Sequence, residues 1–252
     1  MGFKKHLKKI PFFKYYFAGK QFLENTYYRT GKKKTRAEIS KRPLRTDIIN
    51  FILSQCSGET HYLEIGVRNP KDNFVHIQAD QKYSVDPGLE FEENPVDFAM
   101  TSDAFFEQLD AGSILPDTQF DVIFIDGLHL AEQVDLDIQH SLKYLKDDGF
   151  VVLHDCNPPS EWHARETFRF NHSPAEKYWN GTTWKAFMKW RFNPDVYSCC
   201  VDTDWGVGIL SKTQAIGNPI AATNLFYEYH VFDQHRSAHL NLIDFEAFKR
   251  LF

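Results

Sequence analysis

The segment from Phe120 to His129, FDVIFIDGLH, carries the residues whose types and spacing best suit catalysis. Four apolar residues, Val122 to Ile125, stand between Asp121 and Asp126, which predicts a short strand buried on both faces. Asp126 therefore lies where the strand ends, and in open α/β sheets that edge faces the ligand crevice. His129 follows three residues later, at the start of the next helix. An imidazole placed beside a carboxylate could remove a proton from a substrate near neutral pH.

Polar or glycine residues stand at the ends of four other predicted strands in the same manner. They are Glu64 and Gly66 after the first strand, Asp86 after the second, Ser102 and Asp103 after the third, and His154 and Asp155 after the fifth. A single carboxylate in such a place often caps the following helix, and His154 is best interpreted as a partner of its neighbours. Five such strand ends in succession instead predict one crevice lined with acceptors, suited to a nucleoside and a cationic ligand.

The pattern of apolar residues supplies the elements that hold these side chains. Short apolar segments predict strands at residues 62–65, 83–85, 97–100, 122–125 and 150–153. Helices are predicted between them, one of them poorly periodic at residues 72–79, and the clearest helical period follows the fourth strand. This alternation predicts βαβ units and a parallel sheet. Residues 196–201 and 205–210 add an antiparallel hairpin.

With these elements in place, the segment LEIGV at residues 63–67 resembles the first motif of class I S-adenosylmethionine-dependent methyltransferases. The resemblance extends over about residues 44–212 and implies a Rossmann-like α/β fold. Such a fold has a seven-stranded sheet, mostly parallel with a C-terminal antiparallel hairpin, and helices on both faces. Arg68 and Pro70 replace further glycines of the family's loop, so this loop must take a different path.

The same resemblance implies a cofactor site for S-adenosyl-L-methionine. Its residues would be Glu64, Gly66, Asp86, Ser102, Asp103 and Asp126. In that family the acidic residue at the position of Asp86 holds the ribose hydroxyls, and a carboxylate suits this role because it can accept two O–H donors. Ser102 and Asp103 match the position near the adenine.

The order Asp-Gly-x-His after strand four and His-Asp after strand five resembles small-molecule and sugar O-methyltransferases, among them bacterial enzymes of polysaccharide gene clusters. The resemblance implies methyl transfer to a hydroxyl of a sugar or related small molecule, with His129 as the general base and Asp126 beside it. In metal-dependent members, carboxylates at the positions of Asp126 and Asp155 hold Mg²⁺. Cys156 follows Asp155 and is a poor Mg²⁺ ligand, so the sequence leaves metal dependence open.

Aromatic residues are concentrated between residues 162 and 184. Tyrosine and tryptophan rings suit the faces of sugar rings, so this segment could form a pocket for a glycan or small-molecule acceptor. The alternative is that it covers the open edge of the sheet, and the sequence favours neither. The residues considered for the pocket are His163, Arg165, Trp179 and Trp184.

The length of 252 residues and the 42% of hydrophobic residues suit one α/β domain with appendages. We divide the chain into a basic N-terminal extension (1–43), an S-adenosylmethionine-binding domain (44–215) and a C-terminal helical tail (216–252). No apolar segment approaches the roughly 18 residues that span a bilayer. The four cysteines lack metal-type spacing, and the adjacent Cys199 and Cys200 are expected to face opposite sides of a strand. We therefore expect a reduced, cytoplasmic protein.

The charge of the chain is strongly asymmetric. Residues 1–45 hold 14 lysines and arginines and 2 acidic residues, whereas the whole chain has a net charge of −5. Aromatic residues alternate with these lysines, so residues 1–40 could contact an anionic membrane at its inner face. A solvated extension, with residues 31–36 (GKKKTR) as a linker, is an equally good interpretation. Nucleic-acid binding is the weakest of the three.

Two other classes of function compete with a methyltransferase. An NAD-dependent oxidoreductase needs a GxGxxG turn after the first strand, and Gly66 stands alone there. A non-catalytic Rossmann-like module could instead bind nucleic acid or a membrane through the basic N-terminus. The strongly acidic remainder of the chain opposes nucleic-acid binding. The sequence leaves a homo-oligomer open.

Overall fold

The structure, a computed structural model, describes residues 11–90, 93, 95–168 and 172–252 of the chain. The strands in this part are β1 (His61–Ile65), β2 (Gln81–Val85), β3 (Phe120–Ile125), β4 (Leu145–Leu153), β5 (Tyr197–Val201), β6 (Val207–Ser211) and β7 (Leu242–Ile243). The α-helices in this part are α1 (Pro11–Leu23), α2 (Thr26–Ile39), α3 (Arg45–Gln55), α4 (Ser102–Asp110), α5 (Ala131–Tyr144), α6 (Thr183–Arg191), α7 (Tyr229–Gln234), α8 (Arg236–Leu240) and α9 (Phe245–Lys249).

The described strands form one sheet in the order β2-β1-β3-β4-β6-β5-β7. The first four are parallel, and β6 runs antiparallel to both β4 and β5. The predicted parallel sheet and its C-terminal antiparallel hairpin are therefore confirmed. Because the parallel strands all end at the same edge, the polar residues that follow them are brought to one side of the molecule.

Helices cover both faces of the sheet, as predicted. On one face α4, α5 and α6 bury Phe105, Ile138 and Phe187 against the strands, and on the other α3 and α9 bury Ile49 and Phe248. Alternation along each strand supplies both cores, because successive side chains point to opposite faces. The adjacent Cys199 and Cys200 of β5 belong to opposite cores, as expected.

Two local predictions within the sheet region are wrong. The expected strand at residues 97–100 is a single bridge between Phe98 and Val85. The Asp97 carboxylate accepts the Ser84 N–H at 2.9 Å, and a side chain therefore replaces part of the backbone ladder. The helix expected at residues 72–79 is instead two short 3₁₀ turns, Pro70–Asp72 and Phe74–His76.

The basic N-terminal region is helical where it is described. The predicted linker at residues 31–36 is wrong, because these residues lie inside α2, where Gly31 and Thr35 are buried. Lysine and arginine are good helix formers, so a run of them does not by itself interrupt a helix. Residues 1–10, which belong to the predicted basic extension, lie outside the described residues. No helix of the described chain is long and apolar enough to cross a membrane.

The C-terminal segment also contributes to the sheet. β7 pairs in parallel with β5, with Cys200 opposite Leu242 and Val201 opposite Ile243. Asp244 then caps α9, because its carboxylate accepts the Ala247 N–H at 2.7 Å. The division of the chain at residues 43 and 215 stays a prediction, although α2 and β7 both pack on the central part.

Candidate active site

Strands β3 and β4 place four side chains of the predicted site next to one another. Asp126 follows β3, and its backbone N–H donates to the Ile65 carbonyl at 2.9 Å, which fixes the exit of the strand. His154 and Asp155 follow β4, and the backbone of Asp155 has a φ of 62°, an uncommon conformation for a residue with a side chain. Such strain often marks functional sites, because the surrounding structure must hold it in place.

His129 lies between the two aspartates. Its Nε2 is 3.4 Å from Asp126 Oδ1, and its Nδ1 is 3.2 Å from Asp155 Oδ2. Nδ1 also lies 3.0 Å from the Trp179 carbonyl oxygen. The ring therefore has an oxygen acceptor close to each nitrogen, an arrangement that stabilises a proton on the imidazole.

His154 closes the group from the other side. Its Nδ1 lies 3.1 Å from Asp126 Oδ1 and 3.4 Å from Asp155 Oδ2. Its Nε2 lies 3.4 Å from Asp204 Oδ1. The interpretation of His154 as a partner of its neighbours stays a prediction, but its position makes it a third potential ligand beside the two aspartates.

Two residues of this site were not predicted from the sequence. Asp204 belongs to the turn between β5 and β6, and Arg45 begins α3. The Arg45 backbone N–H donates to Asp204 Oδ2 at 2.8 Å, and its guanidinium Nη1 lies 3.2 Å from the same oxygen. Arg45 Nε also approaches Asp126 Oδ2 at 3.7 Å. We call Arg45, Asp126, His129, His154, Asp155 and Asp204 the acid–histidine cluster.

Charges within the acid–histidine cluster control its protonation. Burial alone would raise the pKa of Asp126, but His154 and His129 outweigh burial and hold this pKa well below its usual range. Burial alone would lower the pKa of His129, but Asp155 and Asp126 raise it to about 9. The pKa of His154 is likewise raised well above its usual value, by Asp126 and Asp155 against burial.

The loop before α6 covers one side of the acid–histidine cluster. Asn180 Nδ2 donates to Asp155 Oδ1 at 2.8 Å and fixes that carboxylate. The Trp179 ring is half-buried and stacks on His129, with 5.2 Å between the ring centroids. Gly181 has a φ of +60°, and a Cβ at this position would overlap the His129 carbonyl oxygen. The loop and His129 are therefore positioned by direct contact.

The residues considered for an acceptor pocket separate into two groups. Trp179 lies beside His129, whereas Trp184 is buried in the core under α6. His163 is fully buried and accepts or donates hydrogen bonds with Ser160 and Thr35. Arg165 donates to the Ser173 hydroxyl at 3.1 Å. Of these four, the structure brings Trp179 to the acid–histidine cluster.

The end of β1 lies directly against the end of β3. Gly66 has a φ of +91°, and a Cβ there would overlap the Asp126 carbonyl oxygen and the Cα of Gly127. Only a glycine permits this close approach of two backbones without displacement. The backbone N–H of Gly66 donates to the Val85 carbonyl at 2.8 Å, so the three strand ends form a compact cradle.

Glu64 is positioned differently from Gly66. Its side chain is 3% exposed, and Oε2 accepts hydrogen bonds from Tyr62 Oη at 2.6 Å and Asn73 Nδ2 at 2.9 Å. Burial raises the pKa of Glu64 to about 7, against the effect of these two donors. Glu64 therefore contacts neighbours beneath the crevice, and its part in cofactor binding stays a prediction.

The remaining predicted cofactor residues lie at the β2 end and at the start of α4. Asp86 is half-buried, and its Oδ1 accepts the Gly88 N–H at 2.7 Å. Gln133 of α5 donates to Asp103 Oδ1 at 2.9 Å and lies 3.3 Å from Ser102 Oγ. Ser102 and Asp103 are thus joined to α5, and their role toward an adenine stays a prediction.

One set of side chains in the described chain could hold a metal ion. Ligand atoms of Asp126, His154 and Asp155 all lie within 4.8 Å of one another. Two carboxylates suit Mg²⁺ or Mn²⁺, and an imidazole in the set favours a transition metal such as Mn²⁺ over Mg²⁺. The donor set therefore fits a divalent cation, with His154 added to the predicted pair.

The chain resembles one family of proteins over part of its length and several solved structures. Residues 72–156 match a family model described as a methyltransferase domain. None of the curated proteins matches the chain. Solved structures that resemble it include an O-methyltransferase from Bacillus cereus in complex with SAH, at 14% identity and a TM-score of 0.43, covering 77% of this chain and 97% of that one.

Two further solved structures resemble the chain to a similar degree. One is the SAH-bound methyltransferase PaMTH1 from Podospora anserina, at 14% identity and a TM-score of 0.41, covering 75% of this chain and 88% of that one. The other is the O-methyltransferase TomG from Streptomyces achromogenes in complex with SAM, at 11% identity and a TM-score of 0.40, covering 75% and 91%.

Residues 72–156 match a methyltransferase domain, and the described sheet, with β6 reversed between β4 and β5, has the fold predicted above for a class I S-adenosylmethionine-dependent methyltransferase. The prediction of a methyltransferase is therefore supported over the matched residues, and S-adenosyl-L-methionine stays the predicted methyl donor. The predicted fold and enzyme class are confirmed, and the alternatives of an oxidoreductase and of a non-catalytic module are not supported.

Proposed function

We propose that the enzyme methylates a hydroxyl oxygen of a sugar or related small molecule, with His129 as the general base and a divalent cation held by Asp126 and Asp155. The observation that carries this proposal is the position of His129, within 3.4 Å of Asp126 and 3.2 Å of Asp155 at the edge of the sheet. A base and two hard oxygen ligands in one place suit the activation of a hydroxyl group.

The methyl donor needs little help from acid–base chemistry, because its sulfonium already makes the methyl carbon electrophilic. The acceptor oxygen would bond to this carbon while the carbon–sulfur bond breaks, and the electron pair of that bond would stay on sulfur. The protein must therefore align three atoms and remove one proton. The cradle formed by Gly66, Asp86 and Asp126 is proposed to bind the donor.

His129 is proposed to receive the proton of the hydroxyl. If Nδ1 donates to the Trp179 carbonyl, Nε2 is the nitrogen that accepts, and Asp126 beside it stabilises the resulting imidazolium. Asp126 and Asp155 would hold a divalent cation, which when bound would supply a Lewis acid that lowers the pKa of the acceptor hydroxyl and would offset the charge of the carboxylates that face His129. The half-buried Trp179 ring offers a flat face beside the base, which suits a sugar ring.

Two variants separate the proposed cofactor residues from the proposed metal ligands. Asp86→Asn should weaken binding of S-adenosylhomocysteine about tenfold or more in calorimetry, because a ribose hydroxyl loses its charged acceptor. Asp155→Asn should instead weaken Mn²⁺ binding, followed by electron paramagnetic resonance, by about 10- to 100-fold. Each variant should bind the other ligand within about threefold of the wild type.

The outcomes of this pair address separate parts of the proposal. Unchanged binding of S-adenosylhomocysteine by Asp86→Asn would show that the cofactor residues are wrongly assigned. Absence of Mn²⁺ binding by the wild-type protein would remove the metal and leave the methyl donor site unaffected.

The role of His129 requires a turnover assay. Methyl glycosides of hexoses and 6-deoxyhexoses serve as probe acceptors, and mass spectrometry detects the added methyl group. His129→Gln should reduce turnover by about 10²- to 10⁴-fold while still binding S-adenosylhomocysteine. The exposed His172 supplies the matched control, and His172→Gln should behave as the wild type. Equal turnover of the two variants would exclude His129 as the base.

A further inference from the structure

Helix α1 differs from the other long helices because none of its residues is buried. Its large side chains are instead turned to solvent, with Phe12 74% exposed, Tyr15 72% and Tyr16 56%. Isolated exposed apolar residues are ordinary, but a contiguous set on one element usually marks an interaction surface. The exposed face of α1 is therefore a candidate interaction surface.

The exposed side chains lie on one face of α1. At 100° per residue, Phe12, Tyr15, Tyr16, Phe22 and Leu23 fall within an arc of about 120°. The opposite side of the helix carries Lys14 and Gln21 together with the half-buried Phe13 and Phe17, and Lys20 lies between the two sides. α1 therefore has one face whose large apolar side chains are all exposed, whereas aromatic and polar residues are mixed on the other side.

The charge around this face is of one sign. Residues 1–23 contain six lysines and no acidic residue. Within the described chain, some basic residues are paired with acids of the protein: Lys32 lies 3.1 Å from Glu176, Lys41 lies 2.6 Å from Asp202, and Lys20 of α1 itself lies 3.7 Å from Glu24. The first 23 residues are nevertheless uniformly basic, and this charge complements an anionic surface.

The connection to the rest of the molecule is short and ordered. Glu24 and Asn25 join α1 to α2, and Asn25 caps α2 by accepting the Tyr27 N–H at 2.8 Å. α2 is fixed to the body of the enzyme by Thr35, whose hydroxyl donates to the Pro174 carbonyl at 2.9 Å. A surface that binds α1 would therefore be held at a fixed side of the methyltransferase.

We propose that α1 lies in the headgroup region of an anionic lipid bilayer, with Phe12, Tyr15, Tyr16, Phe22 and Leu23 inserted and the lysines near enough to the surface to be attracted by the acidic lipids. Phenylalanine, tyrosine and leucine side chains bury apolar area at this depth, and lysines near an anionic surface add attraction that salt screens. The proposal narrows the membrane contact predicted for residues 1–40 to one face of α1, because exposed large apolar side chains are concentrated there, whereas α2 is fixed to the body of the enzyme by Thr35.

Sedimentation with lipid vesicles tests this proposal on the full chain. The protein should pellet with vesicles of phosphatidylcholine and phosphatidylglycerol, and much less with phosphatidylcholine alone. Lys14→Glu and Lys20→Glu should each weaken binding about fivefold or more, and added salt should do the same. The triple variant Phe12→Ala, Tyr15→Ala, Tyr16→Ala should abolish pelleting. Phe226→Ala, at a residue 85% exposed elsewhere, is the matched control and should bind as the wild type.

Loss of binding can also result from misfolding, so a variant whose signal appears only on binding is tested as well. Phe12→Trp should show fluorescence quenched by brominated phosphatidylglycerol beyond the level of the wild type, whereas Phe226→Trp should not. Equal binding to both kinds of vesicle, or no quenching at position 12, would overturn the proposal. So would a dimer in sedimentation velocity that the triple variant dissociates, because the aromatic face would then bind a second copy of the chain.

Discussion

Glu64 makes a specific prediction about stability, because it is an acid held where water scarcely reaches. Its carboxylate is 3% exposed, and burial raises its pKa from 4.5 to about 7. The folded state therefore binds the proton more tightly than the unfolded state does. Stability contributed by the neutral acid is fully present below pH 4.5 and is lost as the pH rises through about 7.

The magnitude follows from the difference between the two pKa values. At 1.36 kcal/mol per pKa unit, ionising Glu64 in the folded protein costs about 3 kcal/mol. Glu64→Gln removes the ionisation and keeps an oxygen that can accept from Tyr62 and Asn73. We therefore expect Glu64→Gln to be more stable than the wild type at pH 8 by about 2 to 3 kcal/mol beyond their difference at pH 5.

Urea unfolding of the protein without cofactor, followed by circular dichroism at several pH values between 5 and 8, measures this difference. Glu107→Gln, at an exposed carboxylate on α4, is the matched control and should follow the wild type at every pH. Tyr62→Phe removes a donor to the carboxylate and should move the transition to higher pH. Parallel stability curves for the wild type and Glu64→Gln would refute the reasoning, since Glu64 would then ionise equally in both states.

Three further predictions concern two glycines that lie directly against a neighbouring backbone and one threonine whose hydroxyl fixes α2. Gly66→Ala should lose about 2 to 4 kcal/mol of stability in urea unfolding and weaken S-adenosylhomocysteine binding at least about tenfold, because a Cβ would overlap the Asp126 carbonyl; unchanged binding would contradict the cradle. Gly181→Ala should displace His129 and lower turnover more than about tenfold with little change in binding of S-adenosylhomocysteine, which kinetics and calorimetry together distinguish. Thr35→Val should expose α2 to limited proteolysis and cost about 1 to 2 kcal/mol, because the Pro174 carbonyl loses its donor; resistance equal to the wild type would show that the bond contributes little.

The parts of the fold that depend on local patterns were predictable. The strands after residue 60 follow from apolar runs between polar residues, and their order along the chain implies a parallel sheet. The positions of Asp126, His129 and Asp155 at one edge follow in turn, because parallel strands end together. The period of two along a strand and the geometry of its end are sufficient for this.

The parts that depend on distant contacts were not predictable. Arg45 and Asp204 are separated by 159 residues, and neither stands in a pattern that links them. The strand expected at residues 97–100 failed because Asp97 occupies the hydrogen bonds with its side chain, which apolar periodicity does not register. The lysine-rich residues 31–36 have the composition of a linker, but they form a helix because Gly31 and Thr35 have a surface to pack against.

The bond between Arg45 and Asp204 has a consequence for the newly made chain. Ribosomes add about 5 to 20 residues per second, so Arg45 is synthesised about 10 to 30 s before Asp204. Until then the acid–histidine cluster lacks one of its acids, and the Glu38 carboxylate of α2 lacks the Trp205 backbone N–H that donates to it. The acid–histidine cluster is therefore completed late in synthesis, once the β5–β6 hairpin that contacts α2 and α3 has been made.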